Sequence, residues 1–283
     1  MFERVLICTD FSDGLLRLAN FVLSLAIGGM KQIVFLHIVP LSEKGIVPRI
    51  DVEKMEQARV RLEGAVGESP VGVEVKIEIQ SGQTVQTILQ VAQSQHSELI
   101  VVGSQNQTIF TEKLVGSTMA ALSQQTSIPL LVLRPQLITA YTSEELDLRC
   151  QHLFRSLLLP YDDGEPAKYL VQQVKHRAEK QSGRFLERCE LCWVVDNLIP
   201  QQAYETLSRL KTDLEEVNLR VEIAIRQGYR CAEVLQAAQM ADVSAIAFST
   251  GTIGKLQEWF VSSFASELLR HSWRPVLFFP PRR

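Results

Sequence analysis

Residues 79–103 read IQSGQTVQTILQVAQSQHSELIVVG, and residues 225–249 read IRQGYRCAEVLQAAQMADVSAIAFS. The two stretches align without a gap. Gly82 falls on Gly228, Leu89-Gln90 on Leu235-Gln236, and Ala92-Gln93 on Ala238-Gln239. The alignment runs on to Pro135 and Pro281, with Pro129 on Pro275. Upstream, the run Val5 to Asp10 resembles Leu157 to Asp162. A repeat this long exceeds the period of a solenoid unit and marks a duplicated domain.

Working outward, each copy alternates apolar runs with helical patterns. In the first, Val5 to Cys8 is an apolar run. Ser12 is placed to cap a helix carrying Leu15, Leu18, Ala19, Val22, Leu25 and Ala26, which Gly28-Gly29 would end. Ile33 to Val39 is a second run, Pro40 to Arg49 a loop, and Asp51 to Val66 a polar amphipathic helix. Val71 to Ile79 alternates as a half-exposed strand does. Thr84 to Gln95 is helical, Leu99 to Val102 fully apolar, the stretch around Gly116 to Gln124 helical, and Leu130 to Leu133 the last strand. The second copy repeats the order, with strands at Leu157–Leu159, Leu191–Val195, Val221–Ile225, Ser244–Phe248 and Val276–Phe279. Continuous apolar strands alternating with helices predict a parallel sheet covered on both faces. Right-handed crossovers then give an α/β fold: two tandem, doubly wound, Rossmann-like domains of five strands. The expected boundaries are 1–136 and 153–283. Between them, 137–152 reads as a linker with Ser143 capping a short helix over Glu144 to Leu148.

With 283 residues and 46% hydrophobic content, each copy can bury a core of its own. The net charge of -3, without a basic run, argues against nucleic acid as a partner. No apolar stretch approaches the roughly 20 residues that span a bilayer, so no membrane partner is expected. Met1 to Asp10 enters a strand pattern at once and does not look like a signal peptide. The expectation is a soluble, cytoplasmic protein. Cys189 and Cys192 form a CxxC, but they lie in a strand pattern where residues three apart point to opposite faces. They read as small apolar groups rather than as a redox or zinc pair. The five histidines are scattered without metal-ligand spacing. Phe248, Trp259, Phe260 and Phe264 would suit an apolar pocket and read as core or interface residues.

In a doubly wound sheet, ligands settle beyond the carboxyl ends of the strands, where the strand order reverses. Those ends are Cys8-Thr9-Asp10 and Gly103 onward. After Gly103 come Ser104, Gln105 and Asn106, then Gly116-Ser117-Thr118 opening the next helix. Glycine lets the chain turn and approach a ligand closely. A helix N-terminus offers free N–H donors to a phosphate, and Asp10 can accept from a ribose hydroxyl or an exocyclic amine.

A Gly-x2-Gly-x9-Gly-Ser/Thr loop after the fourth strand, with an aspartate after the first, resembles the universal stress protein family. The openings Cys8-Thr9-Asp10-Phe11-Ser12-Asp13 and Leu159-Pro160-Tyr161-Asp162-Asp163-Gly164 are similar to that family's common start. The resemblance covers nearly the whole chain, twice, and implies a tandem member. It implies a regulatory role in stress response, with ATP or a relative bound, with or without magnesium. The implied site in the first copy is Thr9, Asp10, Val39, Val102, Gly103, Asn106, Gly116, Ser117 and Thr118. It further implies that the final strand of each copy makes the dimer contact. This chain would then be an intramolecular pseudo-dimer, able to form a homodimer and to bind a protein partner that the sequence does not name.

The second glycine of the loop pattern is Asn106, the residue best tolerated where φ is positive, and Glu112 beside Lys113 sits in the loop body. The second copy has drifted further. Ser249 stands for Gly103, Thr252 for Asn106, Ser262-Ser263 for Gly116-Ser117 and Phe264 for Thr118, while Asp162 is kept. The second domain is therefore expected to be mainly structural. No residue presents itself as a base to activate water, so a binding protein is expected rather than an enzyme. A scaffold that binds no nucleotide, with both loops degenerate, is the alternative. An enzyme of the adenine-nucleotide α-hydrolase group is the third reading, and it lacks that group's phosphate loop.

Overall fold

The computed structural model describes residues 1–11, 14–41, 49–103, 117–195, 200–249 and 263–281. The chain divides into two compact units, Phe2–Gln151 and His152–Arg283. In the first, the order is β1 (Arg4–Cys8), a 3-10 helix (Leu15–Phe21), α1 (Val22–Ile27), β2 (Gln32–Val39), α2 (Val52–Glu63), β3 (Glu74–Ser81), α3 (Thr84–Ser94), β4 (Leu99–Gly103), α4 (Ser117–Gln125), β5 (Leu130–Leu133), α5 (Pro135–Ala140) and α6 (Ser143–Gln151). In the second it is β6 (Ser156–Pro160), α7 (Glu165–Lys180), β7 (Arg188–Val194), α8 (Pro200–Glu215), β8 (Arg220–Arg226), α9 (Arg230–Met240), β9 (Ala245–Ser249), α10 (Ser263–His271) and β10 (Val276–Phe279).

The strand order is β3-β2-β1-β4-β5 in the first unit and β8-β7-β6-β9-β10 in the second. The pairings β1–β2, β1–β4, β2–β3 and β4–β5 are all parallel, as are β6–β7, β6–β9, β7–β8 and β9–β10. Both sheets are doubly wound, with the order reversing between β1 and β4 and between β6 and β9. The central strands are apolar throughout because helices cover both faces. Leu6, Ile33, Leu99, Ile100 and Leu130 are fully buried, as are Leu157, Leu158, Leu191, Ile246 and Leu277 in the second unit.

The duplication is visible in the backbone. Four positions with positive φ recur at matched places: Phe11 (68°) and Asp163 (61°), Gly72 (83°) and Asn218 (62°), Gly82 (148°) and Gly228 (142°), His96 (51°) and Asp242 (46°). Left-handed backbone is uncommon outside glycine, so four matched instances record a common corner geometry.

Three local expectations change. The first helix is split into a 3-10 segment and α1; its N-cap is Gly14, while Ser12 lies outside the described residues. The edge strand β3 starts at Glu74 rather than Val71, because the chain turns at Gly72, whose φ is +83°. Residues 135–151 form α5 and α6 rather than one short helix. Pro135 opens α5, since its fixed φ suits the first helical position. The cap of α6 is Thr142, not Ser143. The Glu145 N–H donates to Thr142 Oγ1 (3.3 Å) and the Thr142 N–H to Glu145 Oε2 (2.9 Å), a reciprocal capping box. The helices pack on the first unit. Arg17 donates to the carbonyls of Ile138 and Tyr141, and the Ser24 hydroxyl to the Asp147 carboxylate. A Cβ on Gly28 would stand 2.8 Å from the Cys150 carbonyl oxygen, so α1 and α6 meet at a point where only glycine fits.

Candidate functional site

Register fixes which residues share the mouth of the first crevice. Ile7 pairs with Val101 and Cys8 with Leu36. Thr9 is therefore level with Gly103, and Asp10 with Ile38, at the carboxyl ends of β1, β4 and β2. Thr9 is buried and shapes the turn. Its N–H donates to the Leu36 carbonyl (2.9 Å), and its Oγ1 accepts from the Phe11 N–H (3.0 Å). Asp10 next to it is exposed. Val39 is buried, and its carbonyl accepts from Ser81 Oγ (2.9 Å), leaving a second lone pair. Val102 is buried against β5, opposite Val132.

The turn also gathers residues that sequence reading left aside. Phe11, in the left-handed region, stacks its ring on His37 with centroids 4.0 Å apart and planes 19° apart. The Arg61 guanidinium lies over the Phe11 ring at 4.5 Å. His37 Nδ1 is 2.8 Å from the Thr9 carbonyl, so that nitrogen carries the proton and donates. Burial holds His37 below its ordinary value. Arg61 adds to the lowering, while the Thr9 carbonyl and Asp10 pull the other way. The ring is therefore neutral at pH 7.

Thr118, in the first turn of α4, lines a groove of about 400 Å³ with Gln83, Thr84, Val85, Gln86, Ala121 and Gln125, facing the start of α3. Ser117 opens α4. Asn106 and Gly116, with the loop body holding Glu112 and Lys113, lie outside the described residues. The structure thus brings Thr9, Asp10, Val39, Val102 and Gly103 together and sets Thr118 on a neighbouring groove.

Residues 1–134 match the model of the universal stress protein family. Through its first half, the chain belongs to that family. A universal stress protein from Archaeoglobus fulgidus DSM 4304 superposes with a TM-score of 0.68 at 17% identity, over 97% of this chain and 95% of that one. A protein of unknown function from Pseudomonas aeruginosa PAO1 gives 0.61 at 14% identity, over 99% and 93%. At these identities the likeness shows the fold alone, and it covers both halves. No curated protein matches the sequence.

The second half has the same crevice with other walls. Tyr161 stands where the universal stress protein domain has Thr9; its N–H donates to the Cys192 carbonyl (2.8 Å) and its hydroxyl to Asp163 Oδ1 (3.1 Å). Burial raises the Tyr161 hydroxyl pKa, and Asp163 adds to it. Trp193 meets Tyr161 edge-on with centroids 5.4 Å apart. Asp162, the match of Asp10, accepts from the Gly164 N–H (3.1 Å) and faces Arg230 at 3.5 Å. The space left is about 220 Å³, with Phe248 and Phe264 among its walls. Trp259 and Phe260 lie outside the described residues. Cys189 and Cys192 on β7 are free and buried, and burial pushes both thiols up to about 12. At pH 7 they are protonated, unlike reactive or metal-binding thiolates.

Proposed function

We propose that the first half binds an adenine nucleotide, ATP or a close relative, and that the chain is a regulatory binding protein rather than an enzyme. One observation carries the reading. At the point where the strand order reverses, register brings Thr9 and Gly103 level, with the exposed Asp10 carboxylate beside them. The described residues suit the adenosine part of such a ligand. Asp10 offers an acceptor for ribose hydroxyls, the Val39 carbonyl a backbone acceptor, and the Phe11–His37 stack an aromatic surface. The phosphate end falls to Asn106, Gly116, Ser117 and Thr118, on sequence grounds. The matching crevice of the second half plays a mainly structural part, because 220 Å³ is below the range of roughly 300–1,000 Å³ typical of small-molecule sites. The five free thiols fit a reducing compartment such as the cytoplasm.

A second reading has one observation in its favour. Phe11, His37 and Arg61 already stack on one another, as they would if the crevice of a nucleotide-free scaffold were closed by its own side chains. Denaturing the purified protein and separating the released small molecules distinguishes the two. Titration of ATP with magnesium into wild type, Asp10→Ala and Gly116→Val follows. Saturable wild-type binding that both variants weaken supports the nucleotide site. No saturable binding, or variants that bind as well as wild type, removes it.

A further inference from the structure

The second half has a larger cavity at the opposite end of its sheet, where the strands begin. It encloses about 600 Å³, and its walls include Arg155, Arg184, Arg188 and Arg220 with Glu187 and Asp242. Both acidic charges are already answered. Glu187 pairs with Arg155 at 3.1 Å, and Asp242 pairs with Arg274 at 2.6 Å. Arg184 is exposed and, among the described residues, makes no ion pair. Arg220 reaches Glu222 only at 3.5 Å, with its side chain 77% exposed. The cavity therefore holds an excess of positive charge in a chain whose net charge is -3.

The matched place in the first half shows that the fold does not require this. Arg188 and Arg220 are direct cross-strand partners on β7 and β8. Their counterparts on β2 and β3 are Gln32 and Glu74, joined by a hydrogen bond of 2.9 Å. Like charges placed opposite each other destabilise a sheet, so the second half carries a cost that the first avoids. Part of the excess is structural. Arg188 donates to Ser156 Oγ (2.9 Å) and to the carbonyls of Ala241 and Asp242, satisfying the end of α9. Arg184 and Arg220 have no such task. Guanidinium groups match phosphate oxygens in pairs of parallel hydrogen bonds, and the volume lies within the range of small-molecule sites.

We propose that this cavity binds a small phosphorylated metabolite, its phosphate groups held by Arg184 and Arg220 and oriented by the fixed Arg188. The site is separate from the crevice of the first half and does not rest on the nucleotide reading. The test is calorimetric titration of inorganic pyrophosphate into the full chain at low salt. Wild type is expected to bind saturably, and Arg184→Ala and Arg220→Glu each to weaken binding about tenfold or more. In Gly116→Val, which disables the phosphate end proposed for the first crevice, a saturable pyrophosphate site should remain. Arg220→Glu, which restores the residue type of the first half, should melt no lower than wild type and should lose the rise in Tm that pyrophosphate gives. Absence of saturable binding overturns the proposal. So does a double variant that binds like wild type, or a loss of binding in Gly116→Val alone.

Discussion

The two crevices share a backbone and differ in what fills them. Thr9, Thr84, Val102 and Thr118 in the first half become Tyr161, Arg230, Phe248 and Phe264 in the second. Each change enlarges the side chain. Asp10 and Asp162 are identical in type, yet Asp162 turns its carboxylate to Gly164 and Arg230. A retained aspartate is thus weak evidence of a retained site. The walls decide, and in the second half Tyr161 and Phe248 have become core.

The largest test of that contrast is to hollow out both walls. Phe248→Ala should cost about 3–5 kcal/mol, against roughly 2 kcal/mol for Val102→Ala, its counterpart. All three tryptophans, Trp193, Trp259 and Trp273, belong to the second half. Urea unfolding followed by tryptophan fluorescence should therefore register Phe248→Ala strongly; an unmoved midpoint would break the view of that crevice as core. Next comes Gly28→Ala, which forces a Cβ onto the carbonyls of Cys150 and Gln151. A loss of roughly 1–3 kcal/mol is expected, read by hydrogen exchange in α1 and α6. Unchanged protection in both helices would show that their packing is looser than drawn.

The aspartates give a smaller and sharper contrast. Asp10→Ala should weaken ATP about tenfold, the worth of one charge-assisted hydrogen bond, while Asp162→Ala leaves ATP affinity where it was. Equal effects in calorimetry would erase the distinction between the halves. The smallest effect concerns Glu190, buried on β7. Burial raises its pKa, and Glu222 adds to this, while Arg188 and Arg226 oppose it. A carboxyl whose folded pKa lies above the ordinary 4.5 contributes most below that value and loses its contribution as pH rises through the folded pKa. Glu190→Gln should therefore raise Tm by about 2–4 °C at pH 7, with the gain vanishing below pH 4.5. A gain that persisted at pH 4 would place its origin elsewhere.

The sheets were readable because their evidence is local: each central strand is an uninterrupted apolar run, and the parallel order follows from the helices between them. Thr9, Asp10 and Gly103 were readable for the same reason, as residues that end such runs. Phe11, His37 and Arg61 were not, since they lie on three elements and meet only through the turn at Thr9. The aromatic residue directly after Asp10 was the one available signal. The arginine cavity escaped in the same way. Arg188 and Arg220 each open a strand, Arg155 and Arg184 lie in the segments before β6 and β7, and no run of basic residues results. At 135–151 the sequence suggests a linker with one short helix capped by Ser143, whereas Pro135 opens a first helix and Thr142, one residue earlier, caps the second.

Gly82 and His96 bracket α3, and Gly228 and Asp242 bracket α9, with nearly the same left-handed angles at each end. Those paired corners are natural splice points. A chimaera that exchanges 82–96 for 228–242 would need no redesigned joints, so one copy's helix could be transplanted into the other as an interchangeable cassette.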